Sequence, residues 1–255
     1  MSVAPVPTSP CAGCQSGTSF DLAFTMAFQP IVALEAQQAW GYEALVRGPD
    51  GQSAPSILAQ VTSETLYTFD QACRVRAIEL AGSLFPDRET RLSINFLPNA
   101  VYEPQACIRT SLAAARRVGF GTDQLMFELT ENEQVRDTQH LTNIVREYRR
   151  MGFLTALDDF GSGYAGLGLL ADLQPDILKI DMHLVRNVDS STTRQAIIAS
   201  IVSLAATLGI QVIAEGVETA AERDRLHALG VRLFQGYLFA KPAVAALPEL
   251  GLSLT

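Results

Sequence analysis

Seven short segments of the chain each close an apolar run with a side chain able to hold a metal ion, donate to a phosphate or move a proton. In order they are Glu43, Asn95, Glu128, Asp158 with Asp159, Lys179, Glu215 and Gln235. Strand ends are often solvated and polar, so one such residue means little. Seven in succession, each flanked by residues that otherwise read as core, are hard to assign to chance. The candidate ligands are oxygen donors with no cysteine among them, a set suited to hard divalent cations such as Mg²⁺ or Mn²⁺. Two such cations about 3.5–4 Å apart can clamp the attacking and leaving oxygens of a phosphoryl displacement. That arrangement needs a carboxylate between the ions and further ligands on each side. Asp158 and Asp159 can supply it if the pleat ends there, because successive side chains on a regular strand face opposite ways. Gly161, Gly163, Gly166 and Gly168 then allow the following loop to fold close over a substrate.

Plainer readings exist for single residues. Lys179, between Leu178 and Ile180, could be a structural ion-pair partner of Asp158 or Asp181, since it would be costly unpaired in the core. Asn95 could form a turn at a strand end, and Glu131 and Glu218 could be helix-start carboxylates. Phe160 and Tyr164 suit loop packing, and His183 suits an ordinary exposed or satisfied side chain.

Positioning these residues falls to eight β-rich runs separated by longer helical patterns: 24–34, 40–48, 91–97, 125–131, 154–161, 176–181, 210–217 and 232–240. Strand–helix alternation predicts a mainly parallel sheet, and eight repeats predict closure into a barrel with its chemistry at the carboxyl ends of the strands. Only residues 35–39 separate the first two runs, too few for a crossover helix, so that pair is expected to be antiparallel. The fold class is therefore α/β, a modified TIM (β/α)8 barrel with an antiparallel first strand. Helix punctuation agrees. Leu141, Ile144, Val145, Tyr148 and Met151 recur at helical spacing before Arg149, Arg150 and Gly152, and Thr219-Ala-Ala-Glu222 forms a capping box ahead of Leu226, Leu229 and Gly230.

Composition bounds the function. Of 255 residues 48% are apolar, enough for a sizeable core, and the formal charge of −8 weighs against a duplex nucleic-acid binder. Residues 1–19 are rich in Pro, Ser, Gly and Thr and read as a flexible tail, leaving 20–255 as one domain. Cys11 and Cys14 in that tail form a CxxC without a second half, and a metal-free pair is the simpler expectation. Cys73 and Cys107 read as small apolar fillers. Nothing resembles a targeting signal, and 196–210 is too short and too interrupted to span a bilayer, so a cytoplasmic protein without membrane contact is expected.

EALVR (43–47), SINFLP (93–98), ELTEN (128–132), DDFGSGYAGL (158–167), LKID (178–181), AEGVET (214–219) and QGYLF (235–239) closely resemble the EAL-type, cyclic di-GMP-specific phosphodiesterases. The resemblance spans about 24–245 and implies a stand-alone EAL domain. It implies hydrolysis of cyclic di-GMP to linear pGpG with two divalent cations, Mg²⁺ or Mn²⁺, while Ca²⁺ would bind and support little turnover. Glu43, Asn95, Glu128 and Asp158 would hold one ion, and Asp158 would bridge to a second served by Asp159 and Glu215. Arg47, Gln235 and Glu218 would contact substrate or complete its pocket, with Asp181 in support. Glu131, Gly161 and Gly163 would anchor the glycine-rich loop. Glu215 as base and Lys179 as orienter of the attacking water both fit, and an ion-activated water could need neither. Met182 and His183 depart from many relatives, which carry an arginine and a small residue there, so nucleobase contacts should differ. A homodimer and a separate sensor or regulator partner are further implications. Two rival functions are a non-hydrolytic cyclic di-GMP receptor or interaction module acting on a transcription factor or sensor, and a metal-assisted lyase or isomerase with Lys179 as base. The complete ligand set argues against the first; Arg47, Asn95 and the glycine loop together argue against the second.

Overall fold

The computed structural model describes residues 22–98, 101, 103–129, 138–162 and 167–251. The expected tail with Cys11 and Cys14, together with Glu131, Gly163, Tyr164 and Gly166, lies outside the described residues. The strands are β1 (Thr25–Ala33), β2 (Gln38–Arg47), β3 (Arg91–Phe96), β4 (Leu125–Leu129), β5 (Leu154–Phe160), β6 (Ile177–Ile180), β7 (Gln211–Ala214), β8 (Leu233–Phe234) and β9 (Ala243–Val244). The helices are α1 (Ala54–Leu58), α2 (Leu66–Leu84), α3 (Pro104–Cys107), α4 (Arg109–Val118), α5 (Thr138–Arg150), α6 (Leu167–Leu173), α7 (Met182–Val185), α8 (Thr192–Leu208) and α9 (Ala220–Ala228).

Strands run in the order β2-β3-β4-β5-β6-β7-β8-β1, and β1 pairs back onto β2, which closes an eight-stranded barrel. Pairs from β2 to β8 are parallel, whereas β1 is antiparallel to both β2 and β8. The first connection is the four-residue turn 34–37, with Gln37 at φ 53°, too tight for any crossover. Each expected run contains a strand. The eighth is cut to two residues, because Gln235–Phe239 turns away to pack Phe239 against Phe234. The short β9, which pairs with β1, has too few residues to show a period in sequence.

Period-two alternation divides the barrel interior into layers. Ile31, Met126, Ala156, Ile177, Ile213 and Leu233, one from each of six strands, form an apolar cluster of their own, with Trp40 packed against it. Two residues further along the parallel strands stand Glu128, Asp158, Lys179, Glu215 and Gln235, facing the same interior. Because β1 runs the other way, its matching residue lies two positions before Ile31, at Gln29, which pairs in register with Glu43. The other core fills the space between strands and helices. Phe96, Phe127, Tyr148 and Phe153 form an aromatic cluster there, with centroids 5.1–6.0 Å apart. Cys107 is buried and Cys73 half-buried in this outer packing, both free. No helix among the described residues is long and apolar enough to cross a membrane.

Candidate metal centre at the barrel mouth

Lys179 projects from β6 into the barrel with only 1% of its side chain exposed. Its Nζ lies 2.8 Å from Glu128, 2.8 Å from Glu215, 3.0 Å from Asp158 and 3.6 Å from Glu43. The sequence brings these together because each sits one alternation above the apolar layer, on strands whose register is fixed from below. Ser93 donates to Glu128, Asn95 Nδ2 donates to Glu43 Oε1 at 2.9 Å, and Gln235 Nε2 donates to Glu43 Oε2 at 2.6 Å. Gln235 also donates to Gln29 Oε1 at 3.3 Å, and Gln29 Nε2 donates to the Ala240 carbonyl. The ion-pair reading of Lys179 thus holds for Asp158 and extends to three further carboxylates; Asp181 instead caps α7.

Two adjacent aspartates do reach the mouth, but not because the strand stops. β5 continues to Phe160, and its register against β6 slips between Leu157 and Phe160, a bulge. Asp159 takes φ 55°, a conformation that aspartate tolerates better than most residues, and this breaks the alternation. Oxygens of Asp158, Asp159 and Glu215 consequently lie within 4.8 Å of one another. Gly161 follows at φ 98°, where an added Cβ would lie 2.3 Å from Leu184, while Gly168 falls inside α6 rather than in the loop.

Charge crowding shifts the acids. Burial, then the charge of Glu43, pushes the Glu128 carboxyl well above the usual carboxylate range, with Lys179 opposing. Burial and Asp158 do the same to Glu215. Asp159 is raised to about 6 by burial and by the charges of Asp158 and Asp181. Burial alone would lower Lys179, but its four carboxylate neighbours more than offset this and hold it charged.

The donor set suits divalent cations. Gln235 Oε1 is buried and has no hydrogen-bond partner among the described residues, whereas the buried Asp158 Oδ1 meets only the Lys179 ammonium, at 3.0 Å. Buried acceptors normally find a partner. Oxygens about 2.0–2.1 Å from a Mg²⁺ ion stand roughly 4.2 Å apart when opposite and roughly 2.9 Å apart when adjacent, so the three carboxylates, now within 4.8 Å of one another, would draw together to share an ion. Above it opens a cleft of about 350 Å³, lined among others by Gln29, Asp181, Met182, Glu218 and Tyr237.

Residues 21–242 match the EAL domain family. The chain belongs to that family. This EAL domain is 51% identical to a stand-alone EAL protein from Vibrio cholerae O395 solved in a c-di-GMP bound form, with a TM-score of 0.89 over 92% of this chain and 99% of that one. It is 38% identical to Klebsiella pneumoniae BlrP1, solved with manganese and cyclic di-GMP, with a TM-score of 0.82 over 90% of this chain and 58% of that one. Among curated proteins it is 32% identical to the Escherichia coli blue light- and temperature-regulated antirepressor BluF, over 88% of this chain and 55% of BluF. It is 30% identical to a cyclic di-GMP phosphodiesterase of Pseudomonas aeruginosa, over 89% of this chain and 39% of the relative. The chain therefore spans about half or less of these curated relatives.

The remaining expected residues of this EAL domain sit around the rim. Asp181 is buried, lines the cleft and caps α7, accepting from the His183 amide at 2.8 Å. Its carboxylate also meets the His183 ring, which is 80% exposed, so His183 is a satisfied surface side chain. Glu218 lines the cleft and pairs with Arg186 at 2.8 Å. Arg47 is half-buried, donates to the Val46 carbonyl at 2.7 Å and is not among the residues that line the cleft. Gln29 was not foreseen. The signal was present: an antiparallel first strand has its amino end at the mouth, so its polar residue must be sought before the apolar layer.

Proposed function

We propose that the chain hydrolyses one phosphodiester bond of cyclic di-GMP to give linear pGpG, in the cytoplasm, using two divalent cations. The observation that carries this is the convergence of four carboxylates on the buried Lys179, with Asp159 beside them. Five carboxylates against one ammonium make a formal charge of −4, which would repel a cyclic dinucleotide carrying two phosphates. Two divalent cations cancel that charge, and when bound they supply Lewis-acid stabilisation of the phosphoryl oxygens. Glu43, Asn95, Glu128 and Asp158 would hold one ion; Asp158, Asp159 and Glu215 would hold the other. Lys179, kept protonated by its neighbours, orients the attacking water or donates to the phosphate. Glu215, 2.8 Å from Lys179 and lining the cleft, would take the water's proton. Gln235 and Asn95 fix the Glu43 carboxylate by one hydrogen bond on each oxygen. Glu218 and Asp181, which line the cleft, would complete the substrate pocket, and Arg47 would join them by releasing the Val46 carbonyl; Glu131, Gly161 and Gly163 would anchor the glycine-rich loop. One relative, Klebsiella pneumoniae BlrP1, solved with cyclic di-GMP and either manganese or calcium, supports the cation and substrate classes.

Purified chain with Mg²⁺ or Mn²⁺ should convert cyclic di-GMP to pGpG, and Glu43→Ala should abolish conversion. The likeness to an antirepressor favours one second reading, a receptor that regulates a protein partner. Binding without cleavage under either metal would establish that reading instead. A homodimer and a separate sensor partner belong to the same proposal and would appear as a larger complex in sizing experiments.

A further inference from the structure

We propose that Asp70, on α2, is a positioning residue for the Asn95 ligand, acting through the backbone of β3. The inference rests on Asn95 serving a cation, as set out above. The registered pairs between β2 and β3 end at Ala44 with Ile94, so on that side Asn95 lies just past the last of them, while β4 holds its other side through Asn95 with Glu128 and Phe96 with Leu129. Leu97 lies one residue beyond the end of β3, where the ladder no longer supplies a partner for its N–H. Asp70 Oδ1 accepts that N–H at 3.1 Å, two residues from Asn95. The other carboxylate oxygen accepts from Arg74 Nη2 at 2.6 Å, one helical turn on. Arg74 is fully buried and Asp70 nearly so.

A buried ion pair is a poor way to gain stability, because well-packed apolar residues usually serve as well or better. Arg74 illustrates the cost: its Nε and Nη1 have no hydrogen-bond partner among the described residues. The pair does something an apolar pair could not. It gives the Leu97 amide a charged acceptor held in place by its own counter-ion, and charged acceptors make the stronger hydrogen bonds. Phe96 meanwhile is clamped from behind by Phe127 and Tyr148. Held on both sides, the strand end presents Asn95 to Glu43 at hydrogen-bond distance. Groups that orient metal ligands in this way commonly govern affinity as the ligands do.

Mn²⁺ binding to the metal-stripped full chain, without nucleotide, separates positioning from stability. Asp70→Leu with Arg74→Leu removes the acceptor and both charges. It should keep a near wild-type melting temperature, speed exchange of the Leu97 amide and weaken Mn²⁺ binding about tenfold or more. Asp70→Asn with Arg74→Leu keeps an acceptor for Leu97 and should restore binding to within about threefold. Wild-type Mn²⁺ affinity in the leucine pair would overturn the proposal, as would equal losses in both double variants. If the leucine pair does not fold, Asp70→Ala with Arg74→Leu lacks the same acceptor and takes its place. Asn95→Ala is the control: undiminished Mn²⁺ affinity there would refute the ligand assignment, whatever the Asp70 variants show.

Discussion

At the scale of single residues, the site holds its acids against their preference. Asp159 has a folded-state pKa of about 6 against 3.8 ordinarily, so the native state binds its proton more tightly than the unfolded chain does. Stability therefore falls as pH rises from about 4 to about 6 and stays reduced above, the reverse of an ordinary salt-bridged aspartate. Asp159→Asn removes that penalty and suits the left-handed backbone at this position. The metal-free variant should gain up to about 2 kcal/mol over wild type at pH 8 and little at pH 4, read by denaturant unfolding at both pH values. The same variant should gain less stability from Mg²⁺ than the wild type does in a parallel titration. Equal gains at both pH values would mean that charge is not the cause. Lys179 has the opposite character. Lys179→Met leaves Glu128 and its neighbours without their cation and should destabilise the metal-free protein by about 3–5 kcal/mol at neutral pH. The deficit should shrink on acidification, because protonated carboxyls no longer repel, and a melt at pH 5 beside one at pH 7.5 tests this.

The elements were more legible in the sequence than the contacts between them. All eight barrel runs could be read because apolar alternation survives wherever one face meets the apolar layer and the other meets helices. What periodicity misses is interruption. The bulge in β5 leaves no apolar signature, so the Asp158–Asp159 pair could be recognised as functional while its backbone cause could not. Asp70 and Arg74, four residues apart on a helix, carry no sequence signal of burial, and only the fold shows them buried and joined to the Leu97 amide just past β3. Gln29 and Gln235 meet across 206 residues of sequence. Capping is the exception, since it is local: Thr219 and Glu222 form the expected box at the start of α9. The structure gives Glu222 a wider part, because its carboxylate accepts from the amides of Asn187, Glu218 and Thr219. Burial pushes this acid up, but the three amides and Arg186 outweigh it and hold it below the usual range. Its stabilisation is thus present above the unfolded pKa, near 4.3, and lost as pH falls through the folded value. Glu222→Ala leaves three N–H groups without their acceptor and should cost about 2–3 kcal/mol at pH 7, with a smaller deficit at pH 3.5. Since Glu218 lines the cleft, KM for cyclic di-GMP should rise more than kcat falls; an unchanged KM would show that the rim does not depend on this cap.

Over the whole molecule, the barrel is polarised along its axis, with charge at the mouth and an apolar layer beneath. Trp40, the sole tryptophan, packs against that layer, and the Arg91 guanidinium lies 4.6 Å from its ring. The apolar layer therefore separates the one strong fluorophore from the carboxylates that would hold cations at the mouth. Whatever binds at the mouth stabilises the native state by mass action, about 2.7 kcal/mol at a hundredfold excess over Kd. For a chain of this size that corresponds to a rise in Tm of roughly 5–10 °C. Mg²⁺, Mn²⁺ and Ca²⁺ should all produce the rise, since it reports occupancy and not turnover. The native emission of Trp40 should meanwhile stay constant through the same titration, because the ions act at the far side of a layer that packing holds rigid. A melting curve that ignores divalent cations would remove the metal centre from the account. A native-state emission change that tracks metal occupancy would instead show that the layer transmits events at the mouth to the barrel floor.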